Sequence, residues 1–119
     1  MACALTQALN AAAVQRTSTI RAKNDAFRSS LVGGRVMLTQ GVNALDENTR
    51  RNVIRAVQAF ADFSPGNDPY GEHDFGAVKV NEALFFWKID YYDRDLQNGS
   101  PDPDAVTCKV LTIMLAGEY

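Results

Sequence analysis

Cysteine, histidine and tryptophan are scarce in this 119-residue chain. Two cysteines, one of them Cys3, do not make a disulfide framework, and no Cys₂His₂ spacing indicates a zinc site. No apolar run is long enough to span a bilayer. The first residues lack the basic stretch of a signal peptide, so we expect a cytoplasmic protein.

The first third of the chain has no proline and no glycine before Gly33. Alanine is abundant there, which predicts a helix from about Leu5 to Leu31 that ends at the Gly33-Gly34 pair. The middle of this helix is only weakly apolar. We therefore expect a helical arm over residues 1–19 and a single α+β domain over residues 20–119.

Two further helices and three strands are predicted downstream. Asp46 is a good N-cap for the second helix, and the turn Asn81-Glu82 joins the last two strands. The predicted order is α-β-α-β-β-α, a small three-stranded, mainly antiparallel sheet packed by helices. The strands are expected in the segments RVMLT (35–39), FGAVKV (75–80) and LFFWKIDYY (84–92).

The last helix is predicted from Asp102 to Ala116. Its most apolar side, with Val106, Val110, Ile113 and Met114, is expected to pack against the sheet. Cys108 lies within the same pattern and is expected to be a small buried hydrophobe.

Charge is uneven along the chain, although the net charge is only −2. Residues 1–61 hold eight basic and three acidic residues, whereas residues 62–104 hold three basic and ten acidic ones. Either the two halves neutralise each other across the fold, or they form a dipolar surface that steers a charged partner. We favour mutual neutralisation, because sequence halves need not be separate faces.

Three long motifs carry a family resemblance: NDPYGEHDFG (67–76), FFWKIDYYDRDL (85–96) and VLTIMLAGEY (110–119). With them, the chain from about residue 20 to its end resembles the domain-of-unknown-function family 3768, small proteobacterial proteins often carried on plasmids and phages. The resemblance implies no activity. It implies a mobile-element setting, where small proteins often serve transfer, regulation or evasion of host defence.

The segment Glu72-His73-Asp74 is the candidate for catalysis. A histidine beside carboxylates can act as a general base, and His73 with Asp74 is the alternative catalytic pair. Adjacent residues of an extended segment point to opposite sides, and no cysteine is near. We therefore expect no catalytic residue, and interpret His73 as a structural residue that ties the proline-rich loop to the sheet.

A divalent-metal site is the second alternative. Asp68, Glu72, His73 and Asp90 supply ligands that Mg²⁺ or Mn²⁺ accepts, and a hydrolase or nuclease would use them to activate water. The Asp…Glu-x-Lys pattern of a nuclease and the spacing of an EF-hand loop are both missing. The primary expectation is therefore no metal and no cofactor.

Protein recognition is the function that the composition favours. Tyrosine and arginine dominate interface hot spots, and carboxylates surround the aromatic residues, so direct nucleic-acid binding is not expected. The predicted partner is another protein, such as a nucleic-acid-targeting defence complex, and the chain is interpreted as an inhibitor of the anti-CRISPR or anti-restriction type. No membrane partner is expected. The predicted binding residues are Tyr70, Tyr91, Tyr92, Asp93, Arg94 and Asp95.

Overall fold

The computed structural model describes residues 2–92 and 108–119, with side chains from Ala12 onward. It confirms the α+β class. Of the helices in this part of the chain, none is long and apolar enough to cross a membrane. The elements are α1 (Ala2–Ser30), β1 (Arg35–Leu38), α2 (Gln40–Asn43), α3 (Glu47–Gln58), β2 (Phe75–Val80), β3 (Ala83–Tyr92), β4 (Cys108–Leu115) and a 3₁₀ turn (Ala116–Glu118).

The sheet has four strands rather than the predicted three. Their order is β1-β4-β3-β2. Strand β1 pairs in parallel with β4, whereas β2 with β3 and β3 with β4 are antiparallel. The sheet is therefore mixed, and the prediction of a three-stranded, mainly antiparallel sheet is corrected.

The predicted last helix is wrong, because Cys108–Leu115 is the inner strand β4. Leu111 and Ile113 are fully buried on one face of the sheet, and Val110 and Met114 are buried on the other. A run that is apolar on both faces has the same periodicity as a buried helix, so the pattern alone does not separate the two. Cys108 opens the strand and is only half-buried.

Helix α1 is continuous through the boundary predicted at residue 19. The side that faces the domain buries Ile20, Asn24, Phe27 and Arg28, at the spacing of one helical stripe. The stretch from residue 12 to residue 16 is exposed all round. The division into an arm and a domain stays a prediction.

Helix α3 begins as the sequence predicts. The backbone N–H of Thr49 donates to Asp46 Oδ2 at 3.0 Å, which is the N-cap bond. Val53 and Val57 are fully buried on the side that faces the sheet. This helix and α1 cover one face of the sheet, which we call the core face; its strand residues are Val78, Phe85, Trp87, Ile89, Leu111 and Ile113.

Two local features fix the β2–β3 hairpin. The turn predicted at Asn81-Glu82 is confirmed, and both residues have positive φ, at 52° and 67°. Gly76 lies beside Trp87, where an added Cβ would stand 2.5 Å from the indole Nε1. The glycine therefore makes room for the largest side chain of the core.

The carboxylate of Glu118 fastens the end of the chain to the start of α2. It accepts hydrogen bonds from Thr39 Oγ1 at 2.6 Å and from the backbone N–H groups of Gly41 and Leu115 at 2.9 and 2.8 Å. These donors stabilise the charged form and lower the pKa of Glu118. The Thr39 hydroxyl has the largest effect, and the two N–H groups follow.

Candidate functional site

The proline-rich loop between α3 and β2 is fastened to α1 by polar side chains of the helix. Arg21 Nε donates to the carbonyl oxygen of Gly71 at 2.8 Å, and Asn24 Nδ2 donates to that of Glu72 at 2.9 Å. These bonds satisfy backbone acceptors that the loop does not satisfy within a strand or helix. The loop backbone is therefore held by side chains from about 50 residues earlier in the chain.

His73 lies between two carboxylates. Its Nδ1 is 2.9 Å from Asp25 Oδ1, and its Nε2 is 3.5 Å from Asp68 Oδ2. The imidazole stacks on the ring of Phe63 with 3.6 Å between centroids and 2° between planes. The closest polar contact of His73 is with Asp25 of helix α1, whereas the sequence analysis expected His73 to tie the loop to the sheet. A structural role for His73 stays a prediction, now with Asp25 as its partner.

Asp25 also holds a buried arginine. Arg28 Nη1 donates to Asp25 Oδ1 at 3.1 Å, and Arg28 Nη2 donates to the carbonyl oxygen of Phe60 at 2.9 Å. The guanidinium carbon lies 5.0 Å from the ring centroid of Trp87 and 5.3 Å from that of Phe63. This cation–π geometry lets the core accommodate a charge that would otherwise be costly to bury.

We call Asn24, Asp25, Arg28, Asp68 and His73 the polar cluster. Sequence reasoning missed its three residues of α1: Asn24, Asp25 and Arg28. A signal was present, because Asn24 and Arg28 are spaced four apart on the helix side that carries the apolar residues Ile20 and Phe27. Polar residues inside an apolar helical stripe indicate buried hydrogen bonds, and Asn24 is fully buried.

Tyr91, which is half-buried, contacts the polar cluster. Its hydroxyl donates to Asn24 Oδ1. Burial raises the pKa of Tyr91 to about 12, and the nearby Glu72 and Asp74 add to the shift. Burial removes water from the carboxylates of Glu72 and Asp74 and is the largest cause that raises the pKa of each. Nearby acids raise both pKa values further.

The alternative metal ligands do not converge. His73 and Asp68 are near each other, but Asp90 pairs with Lys88 at 3.2 Å, on the opposite side of β3 from the core. Across residues 2–92 and 108–119, no group of three or more His, Cys, Asp or Glu residues is arranged to hold a metal ion.

The predicted binding residues separate in the fold. Tyr70 is 79% exposed and borders a shallow cleft of about 400 Å³ between α1 and the loop. Tyr91 turns toward α1, whereas Tyr92 is half-buried on the opposite sheet face, beside Met37 and Val110. Asp93, Arg94 and Asp95 lie outside the described residues.

The second face of the sheet carries an aromatic cluster. The rings of Phe75, Phe86 and Tyr119 lie with centroids 5.5–5.9 Å apart. Tyr119 is 77% exposed and Leu84 is 45% exposed. We call these four residues, Phe75, Leu84, Phe86 and Tyr119, the ring face. Of the helices that the structure describes, α1, α2 and α3 have their buried side chains in the core on the other face.

The chain was compared with protein-family models. The model described as "Protein of unknown function (DUF3768)" matches residues 38–118. The chain belongs to this family. The match confirms the resemblance read from the motifs and takes in the loop, the hairpin and β4, whereas α1 precedes it. No curated protein and no solved structure matches the chain.

Proposed function

We propose that this member of the family is a non-enzymatic binding protein that contacts another protein through the ring face. One observation carries the proposal: Tyr119 and Leu84 are exposed beside the half-buried rings of Phe75 and Phe86, on the sheet face opposite the core. Exposed apolar patches of this kind mark interaction surfaces, and tyrosine is enriched among residues that dominate binding energy.

The charges beside the rings limit the chemistry of the partner. Lys79 is exposed at the same edge, opposite Leu84 in the hairpin, and Lys88 already pairs with Asp90. A complementary surface therefore has an apolar centre that covers Tyr119 and Leu84 and a carboxylate that meets Lys79.

The environment of His73 supports binding rather than catalysis. Both ring nitrogens lie against carboxylates, and one face of the imidazole is covered by Phe63. A general base needs a free nitrogen within reach of the proton that it removes. The polar cluster serves the proposal by holding the loop and α1 in place behind the sheet.

A more specific proposal concerns the partner. The mobile-element setting implied by the family resemblance favours a host defence complex in the cytoplasm, inhibited in the manner of anti-CRISPR or anti-restriction proteins. The support is the small size, the exposed ring face and that genomic setting.

Binding is tested with a pair of matched tyrosines. The partner is first captured from the native host by cross-linking and is then titrated as a purified protein. We expect Tyr119→Ala to weaken affinity about tenfold or more, as loss of an interface tyrosine does. Tyr70→Ala is the control, because Tyr70 is equally exposed but lies on the α1 side of the molecule.

A second pair tests the apolar centre of the surface. Leu84→Asp should abolish binding, and Val32→Asp should not, because Val32 is exposed outside the sheet. If Tyr70→Ala and Val32→Asp weaken binding while the ring-face variants do not, the interface is not the ring face.

The defence proposal has its own assay. Cells with an active CRISPR or restriction system are challenged with a targeted plasmid, with and without the protein. We expect transformation to recover with the parent chain and not with Leu84→Asp. Failure of the parent in every system would remove the anti-defence role and leave the binding test unaffected.

A further inference from the structure

A cleft on the α1 side of the molecule has the donors of an anion-binding site. One wall is α1, with Thr17 and Arg21, and the other is the loop, with Pro65, Pro69 and Tyr70. Its volume of about 400 Å³ is that of a small-ligand site. The ring face lies on the other side of the sheet, so this cleft is a separate surface.

Arg21 is held in one orientation by its own loop contact. Its Nε donates to the carbonyl oxygen of Gly71 at 2.8 Å, which fixes the plane of the guanidinium. Its two terminal nitrogens have no hydrogen-bond partner among the residues that the structure describes, and the side chain lines the cleft. A planar fork with free N–H groups matches a carboxylate or phosphate and loses little entropy when it binds.

Two hydroxyls and one ring complete the site. Thr17 lies one helical turn before Arg21 on the same wall. Ser64 Oγ accepts from the backbone N–H of Asn67 at 3.4 Å, which leaves its own proton to donate. The ring of Tyr70, which is 79% exposed, offers a flat apolar surface beside these donors.

The acid in the cleft has a local partner. Asp68 also lines the cleft, but its carboxylate is almost fully buried and lies 3.5 Å from His73 Nε2. The charged group of the cleft that keeps donors for a ligand is therefore the guanidinium of Arg21, which is half-buried.

We propose that this cleft binds an oxyanion, a phosphate or carboxylate, that is carried on a planar or apolar group. Arg21 takes the anion with Thr17 and Ser64, and the attached group packs on Tyr70. The anion can come from a free small molecule or from an acidic or phosphorylated residue of a peptide, since both present the same chemistry. The inference goes beyond the protein-binding function and does not depend on it.

The test is an NMR titration of the full chain with inorganic phosphate, phenyl phosphate and benzoate. We expect saturable shifts of the Arg21 Nε–H and Gly71 N–H signals, with phenyl phosphate binding more tightly than phosphate. Arg21→Lys should lower affinity for phenyl phosphate about tenfold, because an ammonium does not form the bidentate pair. Arg16→Lys is the control, since Arg16 is exposed on the same helix and lies outside the cleft.

Two further variants separate the parts of the site. Thr17→Val leaves the Arg21–Gly71 bond intact and should weaken phosphate binding by severalfold. Tyr70→Ala should remove the preference for phenyl phosphate over phosphate. A blocked phosphotyrosine tripeptide distinguishes the sources: equal affinity to phenyl phosphate indicates a free ligand, and tighter binding indicates a peptide.

Several outcomes would overturn the proposal. One is the absence of saturable shifts at millimolar probe. A second is equal affinity of the parent and Arg21→Lys when the spectra show both folded. A third is a response centred on Arg51 and Arg55 of α3, because that would identify a general attraction of anions to exposed arginines.

Discussion

The two faces of strand β3 differ in burial, although their residues alternate one by one along the strand. Phe85, Trp87 and Ile89 are buried under the helices. Leu84 and Phe86, between and beside them, belong to the ring face, where part of the apolar surface stays in contact with water. A run such as LFFWKIDYY therefore buries one side in the core and leaves part of the other side in contact with water, because successive side chains of a strand point to opposite faces.

Among changes that add atoms to the core, the largest effect is expected where the core face is tightest, at Gly76. Gly76→Ala should lower the free energy of unfolding by about 2–3 kcal/mol, because the new Cβ would meet the indole of Trp87 at 2.5 Å. Urea denaturation measures this. Ala77→Gly is the control on the exposed side of the same strand and should cost less than about 1 kcal/mol. Equal losses would mean that the two faces do not differ in packing.

The polar cluster at the edge of the core face comes next. His73→Ala should cost about 1–2 kcal/mol, because it removes the contact with Asp25 and the stacking on Phe63. Asp25→Asn tests the same tie, and a double-mutant cycle should show coupling between the two changes. A His73→Ala protein that melts like the parent but loses biological activity would refute the structural role and favour the catalytic alternative.

The helices and strands show which parts of the fold could be predicted from the sequence and which could not. The Asp46 cap, the Asn81-Glu82 turn and strands β1 to β3 were predictable, because the sequence signal of each lies within its own segment or beside it. Strand β4 was not, because it lies inside the sheet between β1 and β3, and its parallel partner β1 is in the first third of the chain. Periodicity does not record such partners.

The candidate site was predictable only in part, for the same reason. The loop residues His73 and Asp68 stood out by type, whereas Asp25 and Asn24 became significant only when α1 packed against the loop. The ring face combines β2, β3 and Tyr119, so no single motif contains it.

The hairpin that joins β2 and β3 belongs to both faces and offers a stabilising change. Glu82 has φ of 67°, a left-handed conformation that costs energy for a residue with a Cβ. Glu82→Gly should raise stability by about 0.5–1 kcal/mol, because an Asn-Gly pair suits a turn in which both residues have positive φ. Thermal unfolding measures the gain. Asn81→Ala, at the same turn, should lower the Tm. A lower Tm for Glu82→Gly would contradict the claim that the conformation of Glu82 is strained.

The pH dependence of stability should distinguish a half-buried carboxylate at the edge of the core face from an exposed carboxylate. Burial raises the pKa of Asp74, so the folded state favours its neutral form. The stability from this group is complete below its unfolded pKa, near 3.8, and is lost as pH rises through the higher folded value. Asp74→Asn should therefore raise the Tm at pH 7 by about 2–3 °C, and the gain should vanish below about pH 4.

An exposed acid supplies the reference for that measurement. Glu82→Gln also removes one negative charge, but at the exposed tip of the hairpin, so subtracting its change in Tm at each pH isolates the part that comes from the burial of Asp74. If Asp74→Asn gives the same gain at pH 4 and pH 7, the ionised form of Asp74 is not what weakens the fold.

The smallest effect is expected on the ring face, and the comparison of the two faces depends on it. Leu84 is 45% exposed in the folded protein, so Leu84→Ser removes little buried area and should change stability by no more than about 0.5 kcal/mol. Its neighbour Phe85 is 1% exposed, and Phe85→Ser should cost at least about 3 kcal/mol. Chemical denaturation of both variants measures the contrast. A loss above about 1 kcal/mol for Leu84→Ser would mean that the ring face is packed like a core, and a surface already buried by its own chain has no free area for a partner.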